Sequence, residues 1–137
     1  MNNTLESRAR AVRISCRIAL GVVWLYEGLV PKVLFIRPDQ IDLVQRSGFY
    51  FGTPQTFLQL LGVAQVAFAL WLLVGYAERL AVAVATIGMA ILIVLVARSN
   101  PGMLTDPYGA LIKDLCLLAC AYAVWVLSPA AVRHQPH

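Results

Sequence analysis

RIALGVVWLYEGLVPK, residues 17 to 32, decides how the rest of the chain is read: it is apolar enough to enter a bilayer, yet it holds Glu27 inside it and ends on Lys32. A carboxylate facing lipid costs roughly 2.5 to 3.5 kcal/mol on insertion scales, so Glu27 has to face protein or lie near enough to the interface to be wetted. At about 100° per residue Cys16, Leu20, Val23 and Glu27 share one stripe, and Arg17, Gly21, Trp24 and Gly28 share the next. Gly21 and Gly28, about two turns apart, would let a neighbouring helix approach closely. Pro31 has no N–H and is expected to end or kink the helix, which leaves Glu27 in the last turn and Lys32 just beyond it, the two forming an interfacial pair.

Composition extends this reading to the whole chain. Of 137 residues, 60% are apolar and 13% charged, and the mean hydropathy is +0.73, more apolar surface than a soluble domain of this length needs. A hydrocarbon core of about 30 Å takes roughly 20 residues of helix, and four stretches qualify, at about 13–31, 54–76, 80–97 and 107–127. The expectation is therefore an all-α, four-helix transmembrane bundle forming one membrane domain over 1–137, with a tail at 128–137. The four spans use nearly all of the length and leave none for a soluble catalytic domain. Arg8, Arg10, Arg13 and Arg17 before the first apolar run resemble the start of a signal peptide, but the run ends in EGLVPK and not in a small-residue cleavage site, so it reads as a retained span. The net charge of +4 suits lipid headgroups better than nucleic acid.

Between the first two spans, Pro38, Asp39 and Asp42, Arg46 and Gly48 supply the start and stop signals of a short helix, about 38–47. Ile41, Leu43 and Val44 give it an apolar edge, and its length suits a surface helix or one folded over the mouth of the bundle. Thr53-Pro54 repeats the entry signal for the second span, which contains Gln59 and Gln65, two amides expected to face inward. The third span, without charge, is the best candidate for a lipid-exposed helix. Asp106-Pro107 offers an entry signal to the fourth, which carries Lys113 and Asp114 early in its length. With both termini cytoplasmic, the inner side holds five basic residues near span ends (Arg8, Arg10, Arg13, Arg79, Arg133) and the outer side four (Lys32, Arg37, Arg46, Arg98). The dense N-terminal group favours an N-in, C-in topology.

Little catalytic chemistry stands out. Cys16, Cys116 and Cys120 form no CxxC, and cysteines one helical turn apart seldom close a disulfide, so all three read as small packing residues. His134 and His137 lie in the tail, and no span holds ligands at metal-binding spacing. What remains is a polar cluster at the outer membrane face: Glu27, Lys32, Arg46, Arg98, Asp106, Lys113 and Asp114. Such a group can bind a polar headgroup or relay a proton. The plainer reading, which the residues alone favour, is an ion-pair network that holds the helices in one register.

LGVVWLYEGLVPKVLF at 20 to 35, LVQRSGFY at 43 to 50, TPQTFLQLLGVAQ at 53 to 65 and TDPYGALIKDLCLLA at 105 to 119 resemble the DoxX-like family of small bacterial membrane proteins. The resemblance covers about residues 14 to 128 and implies a four-helix membrane bundle. It also hints at redox partnership, since the family name comes from a membrane subunit of a thiosulfate to quinone oxidoreductase. The family pattern falls on Glu27, Gly28, Pro31 and Lys32, on Arg46, Ser47 and Gly48, and on Asp106, Pro107, Gly109 and Lys113. Gln65 stands where relatives often carry glutamate, and Asp114 where they often carry asparagine.

The resulting expectation is a bacterial inner-membrane protein whose polar cluster binds a lipid or quinone headgroup or a partner subunit. An alternative is the membrane subunit of a quinone-linked oxidoreductase, with Glu27 or Asp114 taking the proton and a partner supplying the redox centre. A solute transporter would require a second bundle or a homo-oligomer.

Overall fold

The computed structural model describes residues 2–99, 101–105 and 110–129. Among these, helix is the only regular secondary structure, with helices α1 (Asn2–Leu29), α2 (Pro38–Ser47), α3 (Pro54–Val74), α4 (Glu78–Ser99) and α5 (Ala110–Leu127). A π-helical turn, Val30–Leu34, continues α1, and a 3₁₀ turn, Pro101–Leu104, follows α4. Among the described residues, three stretches are long and apolar enough to cross a membrane: Asn3–Leu34, Pro54–Val74 and Glu78–Ser99.

Helix α1 begins at Asn2, well before the expected start near residue 13. No proline or glycine interrupts residues 2 to 20, so nothing local stops the helix propagating back through the basic segment. At its other end the α-helix stops at Leu29, before Pro31, as expected, but the chain does not leave the helical path. Pro31 widens the last turn, in which the Phe35 N–H reaches the Val30 carbonyl at 2.8 Å, and the helical path runs on to Leu34.

The short connections match their local signals. Thr53 caps α3 by accepting from the Thr56 N–H at 3.2 Å, and Gly48 and Gly75 close α2 and α3 with positive φ. The Asp106-Pro107 entry signal to α5 lies outside the described residues.

Helix α1 packs between α3 and α5, and α4 closes against α5 and more lightly against α3. Leu20, Leu72, Ala81, Val82, Ala85, Met89, Leu117, Ala121 and Val124 form the core. Helix α4, read as the best candidate for a lipid-exposed span, buries one stripe, Ala81, Val82, Ala85 and Met89, at helical spacing and exposes Leu80, Val84, Ile87, Ile91 and Val94 on its other face. Trp24 packs against the core, with its ring 5.0 Å from that of Phe68 in an edge-to-face arrangement. Cys16 and Cys120 pack there too, while Cys116 is exposed.

A close backbone approach joins α1 to α3. A Cβ at Gly62 would lie 2.7 Å from the Gly28 carbonyl oxygen and 2.8 Å from the Cβ of Lys32, and one at Gly28 would lie 2.9 Å from the Gly62 carbonyl oxygen. Gly28 thus serves the close approach that its sequence position suggests, and Gly62 supplies the matching gap. Helix α2 lies against the ends of α3 and α4 with none of its residues buried, as a helix over the bundle's mouth would.

Candidate functional site

Glu27 lies near the end of α1, where the Gly28–Gly62 approach brings α3 alongside and α5 begins on the other flank. Its carboxylate accepts from the Lys113 ammonium at 2.6 Å, a contact between α1 and α5. Both side chains stay partly open, 32% exposed for Glu27 and 39% for Lys113.

Lys32 does not pair with the Glu27 carboxylate, as the sequence suggests, but donates to the Glu27 backbone carbonyl at 2.8 Å. The cause is Pro31. In an α-helix that carbonyl would accept from the N–H four residues on, and at that position stands a proline, which has none. The Lys32 ammonium fills the gap, and the Glu27 carboxylate is released toward α5.

Two further polar residues are buried beside this pair. Asp114, 9% exposed, follows Lys113 on α5 and lies within electrostatic reach of both Lys113 and Glu27. Gln65, 7% exposed, projects from α3 beside Gly28, and among the described residues its amide oxygen is buried without a hydrogen-bond partner. Formal charges balance: Glu27 and Asp114 oppose Lys32 and Lys113.

The other expected site residues fall elsewhere. Gln59 is exposed, against the expectation that both glutamines face inward. Leu58, Gly62, Gln65, Ala69 and Leu72 make the buried stripe of α3, and at about 100° per residue Gln59 lies a quarter-turn off it. Arg46 is 60% exposed and pairs with Asp42 one turn earlier in α2 at 2.9 Å. It lines a separate surface groove with Phe49, Leu95 and Arg98. Asp106 lies outside the described residues. Among those described, no group of three or more His, Cys, Asp and Glu residues is placed to hold a metal.

A second charged junction, at the opposite end of the helices, went unrecognised in the sequence. Glu78, at the start of α4, takes Arg17 of α1 through one carboxylate oxygen. Its other oxygen lies 3.5 Å from the Arg13 Nε and accepts from the Ser128 hydroxyl at 2.9 Å. Arg79 donates to the Ser128 carbonyl at 2.9 Å. A Cβ on Gly75 would collide with the Arg17 guanidinium, so that glycine serves both the turn and the junction. The available clue was a carboxylate in a short inter-span turn with arginines of the first span at the same membrane level.

No curated protein and no solved structure matches the chain. The DoxX-like family does, over residues 21–130, a stretch that takes in every residue of the Glu27 junction and Glu78 but not Arg13 or Arg17. The match covers most of the chain, which therefore belongs to the DoxX-like family.

Proposed function

We propose that this protein is a multi-pass protein of the bacterial inner membrane, a single four-helix domain with both termini cytoplasmic, in which the Glu27 junction binds the polar headgroup of a quinone or lipid. Family membership and the apolar helices support the membrane setting, and the pairing of α5 with both α1 and α4 supports the fourth span. The basic N-terminal segment supports the orientation.

One observation carries the binding reading. Lys32 and Asp114 are buried to 7% and 9% exposure, whereas the Glu27–Lys113 pair between them stays about one-third exposed. Charges held in the membrane solely to lock helix register would be expected to close fully over one another, because an open ion pair adds little stability. Here a donor, Lys113, and an acceptor, Glu27, are held by buried neighbours and left reachable. A carbonyl or hydroxyl headgroup can take up Lys113 as donor while Glu27 accepts a proton or a hydrogen bond.

The second reading, a membrane subunit of a quinone-linked oxidoreductase, uses the same site, with a partner bringing the electrons and Glu27 or Asp114 receiving the proton. A partner subunit seated on the cluster, or a second copy of the chain, belongs to the same proposal.

Native mass spectrometry of the gently solubilised protein tests it. Wild type is expected to retain a lipid- or quinone-sized adduct, or a partner, that Glu27→Gln loses while remaining folded. An adduct-free wild type, with Glu27→Gln merely less stable, would make the junction structural and refute the reading.

A further inference from the structure

Away from the Glu27 junction, the outer surface of α4 and α5 carries a groove of about 350 Å³. Ala83, Thr86 and Ile87 line it from α4, and Leu118, Tyr122 and Trp125 from α5. The only hydroxyl on the α4 wall, that of Thr86, is turned back to the Val82 carbonyl at 2.8 Å, so that wall presents hydrocarbon. Ile87, Tyr122 and Trp125 are largely exposed, which opens the groove outward from the helices. On a membrane helix pair, such an opening meets acyl chains, and leaving it empty would forfeit the dispersion contacts of its lining.

The groove has a charged end. Trp125 is its wall nearest the Glu78 junction, and the Arg79 guanidinium carbon lies 5.9 Å from the Trp125 ring centroid. The nearby carboxylate, Glu78, is already shared by Arg13, Arg17 and Ser128. Arg79 itself donates only to the neutral Ser128 carbonyl, and among the described residues its buried Nε has no hydrogen-bond partner. Among the described residues, a cation without a carboxylate partner thus stands beside Trp125, at the end of the apolar groove nearest the Glu78 junction. The same end holds the basic start of α1, with Arg8, Arg10 and Arg13, a concentration that suits an anionic leaflet.

We propose that this groove is a phospholipid site: one acyl chain lies between α4 and α5, and the lipid phosphate sits on Arg79, so that anionic glycerophospholipids are preferred. The guanidinium fork matches a phosphodiester, and Trp125 holds it in place from the apolar side.

The test is native mass spectrometry of the full chain in detergent, titrated with phosphatidylglycerol or with phosphatidylcholine of the same acyl chains. Wild type is expected to take up one phosphatidylglycerol about tenfold more readily than phosphatidylcholine. Arg79→Gln should bring the two lipids level, Arg79→Lys should keep most of the preference, and Ala83→Phe, which fills the groove, should reduce retention of both. Glu27→Gln should leave this lipid in place. Circular dichroism of each variant establishes that it is folded. Equal uptake of the two lipids by wild type, a preference that survives Arg79→Gln, or full retention by Ala83→Phe would overturn the proposal. So would a wild-type dimer converted to monomer by Ala83→Phe, which would make a second copy of the chain the groove's occupant.

Discussion

The two charged junctions tie overlapping sets of helices and differ in one respect: the Glu78 junction is shut and the Glu27 junction is ajar. Glu78, Arg17 and Arg13 are 12%, 16% and 19% exposed, and Ser128, just past the end of α5, completes the ring. Glu27 and Lys113 are 32% and 39% exposed, although Lys32, Gln65 and Asp114 beside them are buried. A closed clasp is costly to break, because removing one member leaves a buried charge uncompensated. A binding site cannot close fully. On the proposed reading, the contrast separates a clasp from a binding site, two roles that composition alone would merge.

Breaking the shut junction should have the largest effect. Glu78→Ala strands two largely buried guanidinium groups and the Ser128 hydroxyl, and loss of one member of a buried pair costs about 3 to 5 kcal/mol. Unfolding of the detergent-solubilised variant, followed by circular dichroism in increasing denaturing detergent, should show a loss of about 3 kcal/mol, with the Glu27-dependent adduct still present on the fraction that remains folded. A loss below about 1 kcal/mol would mean that lipid phosphates already neutralise Arg13 and Arg17.

Next comes the scaffold of the open junction. Gly62→Ala places a methyl group 2.7 Å from the Gly28 carbonyl oxygen and 2.8 Å from the Cβ of Lys32, contacts that only backbone movement can relieve. Overpacking of this kind costs about 1 to 3 kcal/mol. Because α3, which carries Gln65, must retreat from Gly28 and Lys32, the variant should also bind the proposed ligand more weakly than its stability loss alone explains. The ratio of adduct to free protein at a temperature where both forms are folded measures this.

How much of this was legible in the chain follows from how local each signal is. The caps at Thr53 and Gly48 and the bounds of α2 rest on residues a few positions apart, and they could be read directly. Apolar runs marked where the long helices would lie, and Glu27, Lys113 and Gln65 stood out because polarity is costly there. Their partners were another matter. Lys32 was assigned to the Glu27 carboxylate because the two are close in sequence, whereas its actual acceptor is the carbonyl that Pro31 leaves without a donor. The Glu78 junction joins residues about 50 and 61 positions apart, and nothing in a single sequence pairs them. Inward against outward was equally hard to assign in helices that are apolar all round, as the exposed Gln59 and the buried stripe of α4 show.

Removing the open pair itself should cost little. Glu27→Gln leaves Lys113 facing a neutral amide, and a pair exposed by about a third contributes less than about 1 kcal/mol. The expected result is near-native unfolding together with loss of the retained adduct, the reverse of Glu78→Ala. Should the two variants lose the same stability, the difference in exposure would have no energetic meaning and the junctions would be two clasps.

The smallest effect belongs to Arg46, and it fixes the outer limit of the open site. Its pair with Asp42 is one helical turn long, lies on α2 and is exposed by 60% and 53% at its two ends, so it contributes about 0.3 to 0.5 kcal/mol at low salt and less as salt rises. Arg46→Ala should therefore move the unfolding midpoint barely and only at low salt. If the ligand of the Glu27 junction is held by Glu27 and Lys113 alone, its retention should be unchanged. Arg46 also faces Arg98 and Phe49 across a groove of about 370 Å³ between α2 and the end of α4. A headgroup large enough to reach from Lys113 into that groove would lose a contact in Arg46→Ala and dissociate faster with no change in stability. Loss of retention without loss of stability would thus extend the open junction outward to α2, whereas unchanged retention confines it to the four residues between α1 and α5.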